Sequence, residues 1–215
     1  MTILLSDTGK RFNRDWIFRH LTYTFEAGNS YAITGPNGSG KSTLLQAISG
    51  SMQVSEGNIG YQNKSGKENG KLKGSELPEE EVYRHVSICA PYLELVEEMT
   101  LTEFLSFHQN FKNLLPGITA STIISTLNLD NAAHKQIRYF SSGMKQRVKL
   151  AQCIFSDTSI VLLDEPCTNL DLNGIELYHR LIEAYCSKRT VIVSSNDKVE
   201  YDFCKAVISI SDYKN

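Results

Sequence analysis

Residues 31–47 constrain this chain more than any other stretch. They read Tyr31-Ala32-Ile33-Thr34, then Gly35-Pro36-Asn37-Gly38-Ser39-Gly40-Lys41-Ser42, then Thr43-Leu44-Leu45-Gln46-Ala47. A short apolar strand runs into a glycine-rich turn, and the turn opens a helix. Gly35, Gly40, Lys41 and Ser42 stand at the G-x-x-x-x-G-K-[ST] spacing of a P-loop. Glycines let such a turn bend sharply and bring its backbone N–H groups close to phosphate oxygens. The following helix points its positive end at the same anion. Lys41 adds a mobile point charge, and the Ser42 hydroxyl can join the shell of a Mg2+ that keeps most of its waters.

The rest of the chain bounds what such a cradle can serve. At 215 residues it is long enough for one or two compact units with a sizeable core. Its formal charge of −2 gives no global basic field, so no nucleic-acid partner is expected. Five scattered cysteines without a C-x-x-C pair read as reduced thiols of a cytosolic protein. No apolar run approaches the ~18 residues that span a bilayer, and no basic-then-apolar leader opens the chain. Work at a membrane would then pass through a partner.

Strand-forming stretches at 2–5 and 17–25 flank a polar turn at Asn13-Arg14-Asp15. Phe12 and Trp16 sit beside that turn; either could stack on a base or join the core. Residues 57–61 read as a short strand. The very polar stretch 62–81 cannot bury a core, and reads as a surface hairpin or mobile loop. Its lysines (Lys64, Lys67, Lys71 and Lys73) are solvated by default, with regulatory or lipid contact as the other reading.

Residues 86–90 form a further strand stopped by Pro91. From Thr100 the period is helical, with Leu101, Phe104, Leu105 and Phe111 on one face and Thr100 or Thr102 as the cap. Helices are also expected over 119–129 and 144–155, so a helical block of about 93–157 interrupts a strand-and-helix protein. Buried strands follow at 160–163 and 190–194 with a helix between them, and a last strand at 207–211.

The run Ile160-Val161-Leu162-Leu163-Asp164-Glu165-Pro166 is an apolar strand ending in two acids. Beside a P-loop, Asp164 can hold the Mg2+ shell through water, and Glu165 can orient or deprotonate an attacking water. With these residues in place the chain resembles the nucleotide-binding domain of the ATP-binding cassette (ABC) family. The resemblance rests on Gly35–Leu45, on Leu162–Pro166, and on Phe140-Ser141-Ser142-Gly143-Met144-Lys145-Gln146-Arg147, which is similar to the family signature. Thr168-Asn169-Leu170-Asp171 looks like the family's D-loop. These motifs cover nearly the whole chain in the family's order.

The resemblance implies an α/β fold: a P-loop NTPase core with a mostly parallel sheet and helices, an antiparallel β subdomain and an inserted α-helical subdomain. Residues 1–215 would be one domain, with core and β subdomain over about 1–92 and 158–215 and the helical part over about 93–157. It implies an ATPase that uses ATP and Mg2+, with Asn37, Gly38, Ser39, Gly40, Lys41, Ser42 and Thr43 on the phosphates and Phe12 on adenine. Two cassettes, alike or merely related, would face head to tail. Ser141 and Gly143 of each would then contact the γ-phosphate held by the other. ATP would close the pair and hydrolysis release it, driving an integral membrane transporter subunit from the cytoplasmic face.

Three departures from the pattern set further expectations. Asn196 stands where the family has a histidine, and an amide cannot carry a positive charge. Tyr92 stands where the family has a glutamine that senses Mg2+ and the transport partner, so the phenol takes that place near the metal. The signature carries Phe140, Ser142 and Met144 in place of Leu, Gly and Gln. With Lys41, Ser42, Asp164 and Glu165 intact, normal Mg-ATP binding and slow hydrolysis are expected. Tyr92 also favours a second reading, an ABC-type ATPase acting as an ATP-gated clamp or assembly factor with a soluble partner. A kinase or GTPase is disfavoured by the signature stretch and by the lack of a guanine-reading Asn-Lys-x-Asp motif.

Overall fold

The structure, a computed structural model, describes residues 1–63, 67–68, 71–72 and 75–214. In chain order, β1 (Thr2–Phe12), β2 (Asp15–Phe25) and β3 (Ser30–Thr34) lead into α1 (Lys41–Ile48). Next come β4 (Glu56–Asn63), β5 (Lys67–Glu68), β6 (Lys71–Leu72), β7 (Ser75–Glu76), α2 (Val82–His85) and β8 (Val86–Cys89). The helices α3 (Leu101–Gln109), α4 (Ala120–Thr126) and α5 (Ser142–Ile154) precede β9 (Ile160–Asp164). The chain closes with α6 (Leu172–Cys186), β10 (Thr190–Ser194) and β11 (Ala206–Ser209).

A five-stranded parallel sheet runs in the order β11-β3-β10-β9-β8. A four-stranded antiparallel sheet runs β2-β1-β4-β7, and β5 pairs with β6. The fold is an α/β P-loop NTPase fold, as the sequence implied. Along β9 the period-2 geometry of a strand sorts the side chains between two cores. Val161 and Leu163 pack with the helices α3 to α6, while Ile160 and Leu162 pack with α1 and the antiparallel sheet. A strand buried on both faces must read as a continuous apolar run, and β9 and β10 are buried at every position.

The first turn of α3 carries a full capping box. Thr100 Oγ1 accepts from Glu103 N, and the Glu103 carboxylate accepts from Thr100 N. Of the two threonines expected as caps, Thr100 is the one. At the other end of the helical block, the Arg189 guanidinium is buried at the C-terminus of α5. It donates to the carbonyls of Ile154, Ser156 and Thr158 and to the hydroxyls of Ser87 and Thr158. The Ile154 carbonyl ends α5 without an intrahelical partner and carries partial negative charge, which suits a guanidinium.

Some expectations need correction. β1 and β2 are each 11 residues long, and β1 is an unbroken strand well past residue 5. Register shifts between Leu5 and Thr8 and between Thr8 and Lys10 scramble its apolar alternation, which hides its length in the sequence. Phe111 lies beyond the end of α3 and is 68% exposed, so it is not on the buried face; His108 is, held by Ser156 Oγ at 2.9 Å. The helix expected over 119–129 is shorter, and the short α2 has no counterpart in the sequence reading. In the polar stretch, the β5–β6 pair matches a hairpin; the side chains of Lys64, Lys67, Lys71 and Lys73 lie outside the described residues.

Candidate functional site

Three parallel strands, β3, β10 and β9, end side by side, and the loops leaving their C-terminal ends build the site. The loop after β3 turns on glycines with positive φ, and Gly40 (φ 107°) caps α1. A Cβ on Gly40 would lie 2.3 Å from Ile17 Cγ2, so the position excludes any side chain. Nothing lies within 4 Å of a Cβ built on Gly38, so that stretch of backbone is open to an approaching ligand. Lys41 is buried to 5% exposure, and its Nζ donates to Gly35 O (2.7 Å) and Pro36 O (3.3 Å). The Ser39 Oγ is buried without a hydrogen-bond partner among the described residues, a polar group left for a ligand in the turn.

This loop encloses a cavity of about 210 Å3 lined by Asn37, Gly38, Ser39, Gly40, Lys41, Ser42, Thr43, Ile17 and Glu165. The seven predicted loop residues and Glu165 therefore converge on one space. Ile17 was missed: in the sequence it is one more apolar strand residue, and only the approach of β2 to Gly40 brings it here.

Asp164 closes β9, directly opposite Ser194 of β10, and is 2% exposed. The next residue, Glu165, adopts a left-handed backbone (φ 44°). Its N–H donates to Ser194 O (2.9 Å), which ties the ends of β9 and β10 together. Tyr92 lies near both α1 and Asp164. Burial raises its hydroxyl above the ordinary tyrosine value; a hydrogen bond with Gln46 pulls it back, and the Asp164 charge raises it further. The residues expected at a metal, the Ser42 and Tyr92 hydroxyls and the Asp164 carboxylate, offer only oxygen. That set suits Mg2+, a hard cation that prefers oxygen and retains water.

Asn196 reaches the P-loop directly. Its Oδ1 accepts from Gly35 N (3.1 Å), and its Nδ2 donates to Asn37 Oδ1 (3.3 Å). The amide thus bridges β10 to the glycine-rich turn, accepting through its oxygen and donating through its nitrogen.

Other predicted residues lie apart from the cavity. Phe12 ends β1 with 45% exposure, its ring 5.2 Å from the Lys10 ammonium. Trp16 is engaged elsewhere: the Arg19 guanidinium sits 4.4 Å from its ring and is itself paired in two bonds with Glu56. Ser141 and Gly143 line no part of the cavity. Ser141 is the N-cap of α5, its Oγ accepting from Met144 N. A Cβ on Gly143 would come within 3.0 Å of Asn169 O, so the signature turn packs closely on the D-loop stretch. Asp171 caps α6 and pairs with Arg147 of α5 at 3.1 Å. Its carboxyl is held below the usual aspartate value, first by the Gly174 N–H.

The family model described as ABC transporter matches residues 18–168. The lantibiotic transport ATP-binding protein SrtF of Streptococcus pyogenes is 30% identical over 193 residues, 87% of this chain and 76% of that protein. The cytochrome c biogenesis ATP-binding export protein CcmA of Rhizobium meliloti is 28% identical over 202 residues, 91% of this chain and 90% of that one. Among solved structures, the dimeric cassette MJ0796 superposes with a TM-score of 0.78 at 20% identity, covering 96% of this chain and 93% of that one.

Proposed function

Because this chain belongs to the ABC transporter family of ATP-binding proteins, and is an ABC-type ATPase, we propose that it drives a separate membrane-spanning partner by closing on a second cassette around two Mg-ATP. The second cassette is a copy of this chain or a related one. The observation that carries the proposal is the division of the site. Residues 37–43 and Glu165 share one cavity, whereas Ser141 and Gly143 stand outside it at the start of α5. A helix N-terminus with a hydroxyl and a glycine N–H is a good anion site, and a second chain brings it to the γ-phosphate.

Within one chain the roles divide by geometry. Lys41 exchanges the carbonyls of Gly35 and Pro36 for phosphate oxygens, and Asn37 to Thr43 cradle the rest. Phe12, exposed at the end of β1, stacks on adenine. Ser42 and Asp164, with Tyr92 beside them, hold Mg2+, which when bound neutralises phosphate charge. Glu165 orients the attacking water and takes its proton. Asn196 contacts the γ-phosphate from its place beside Gly35. Hydrolysis is slow, because the Asn196 amide brings no positive charge and the Tyr92 phenol lacks an amide's paired donor and acceptor. The helices of about 93–157 form the subdomain that faces the membrane partner, and the chain works on the cytoplasmic face. No helix among the described residues is long and apolar enough to cross a membrane.

Mass measurement of a Glu165→Gln variant tests the central claim. Mg-ATP is expected to convert monomer to dimer, and the change should vanish without nucleotide. A variant that stays monomeric at saturating Mg-ATP sinks the two-cassette reading. Turnover at the level of an active transporter, with the membrane partner present, would refute slow hydrolysis.

A further inference from the structure

Among the described residues, one buried acid belongs to no motif. Glu200 ends the short 3-10 turn Lys198–Glu200 after β10 and is 5% exposed. Its Oε1 accepts from the backbone N–H of Cys167 at 2.7 Å. Its own carbonyl accepts from the Tyr178 hydroxyl of α6 at 2.7 Å, which pins the turn from behind. Asp197 fixes the start of the same turn, its Oδ1 accepting from Val199 N. Burial raises the Glu200 carboxyl above the ordinary value; hydrogen bonds from the Ser195 side chain and the Cys167 N–H pull it back, and the charges of Asp197 and Glu165 raise it. An acid kept in so costly a place needs a reason.

The reason lies two residues before Cys167. Glu165 has φ 44°, a left-handed conformation that is strained for a non-glycine residue. Such a conformation persists only where the surroundings over-determine it. Here three bonds from three elements fix the turn. Ser194 O takes the Glu165 N–H, Gln146 Nε2 of α5 donates to Pro166 O at 2.7 Å, and Glu200 takes the Cys167 N–H. Two of the three partners, Ser194 and Glu200, flank Asn196 in the chain.

We propose that Glu200 is a positioning residue for ATP hydrolysis: it clamps the turn after β9 to the loop carrying Asn196, and so holds Glu165 in its strained backbone beside the phosphate cavity. The clamp makes Glu165 and Asn196 move together. It rests on the reading of Glu165 as the residue that activates water.

Two variants of similar volume test it. Glu200→Gln keeps an oxygen acceptor for Cys167 N–H; Glu200→Met fills the space without one. In single-turnover assays Glu200→Met should lose about tenfold or more in rate, as small misplacements of a reacting group do, with affinity for a non-hydrolysable ATP analogue unchanged within about twofold. Glu200→Gln should stay within about threefold of the parent rate, because its side-chain carbonyl can still accept the bond. Amide hydrogen exchange at Cys167, which needs no hydrolysis, should lose protection in Glu200→Met and keep it in Glu200→Gln. That pattern supports the clamp even if the parent proves idle, in which case the role given to Glu165 fails alone. Where the parent is active, the clamp is overturned if Glu200→Met keeps its rate, if Glu200→Gln falls as far as Glu200→Met, or if rate and analogue affinity fall together; whether the parent is active or idle, it is overturned if Glu200→Met keeps the exchange protection. Unfolding of Glu200→Met while Glu200→Gln stays folded overturns it too, since the residue would then serve stability.

Discussion

The loops after β3 and β9 solve one problem in opposite ways. Each must leave a buried strand and turn sharply enough to present polar groups at the sheet's C-terminal edge. The loop after β3 does it with local means: Gly35, Gly38 and Gly40 all take positive φ, and glycine does so without strain. The loop after β9 has no glycine. Glu165 takes the left-handed conformation itself, and Ser194, Gln146 and Glu200 hold it from outside. A binding loop can be a local object. The turn that carries Glu165 is here the property of three distant elements.

This contrast can be broken from the P-loop side with the largest effect. Gly40→Ala is expected to cost about 2 kcal/mol or more, through φ 107° and the collision with Ile17, and to abolish nucleotide binding. Thermal unfolding and nucleotide titration check it; near-parental binding would mean that the loop adapts and its geometry is not fixed locally. The loop after β9 should fail differently. Gln146→Leu removes the donor to Pro166 O and leaves a buried carbonyl unsatisfied, at about 1–3 kcal/mol. The expected result is a turnover loss of roughly tenfold with nucleotide affinity kept, in line with a displaced catalytic group. Equal loss of binding and turnover would erase the distinction between the two loops. The smallest change is expected from Asn196→His. It restores a group that can carry positive charge near neutrality, and turnover should rise by a few-fold. No change or a fall in steady-state rate would show that the amide bridge to Gly35 and Asn37 matters more than charge.

The same contrast explains what the sequence discloses. The P-loop is legible because its conformation is written in three closely spaced glycines, Gly35, Gly38 and Gly40. β9 and β10 are legible because burial on both faces leaves a continuous apolar run. The cap of α3 is legible only to within two threonines, Thr100 and Thr102, and the bond pattern with Glu103 decides for Thr100. Gln146 and Glu200 are not legible, because their partners lie 20 and 33 residues away and nothing local marks a buried polar side chain as a clamp. Ile17 escapes for the same reason. Phe111 misled because helical spacing continues in the sequence beyond Gln109, where the helix has already ended.

Arg189 carries a mechanical consequence. Its guanidinium rivets the C-terminal end of α5 to the edges of β8 and β9, while the other end of the helix bears Ser141. With 13 residues, α5 is an arm about 20 Å long at ~1.5 Å per residue. A tilt of about 10° at the riveted end sweeps Ser141 through roughly 3 Å, the length of a hydrogen bond. The buried charge thus fixes one end of the arm whose other end carries Ser141, so the position of the signature turn depends on a residue a whole helix away.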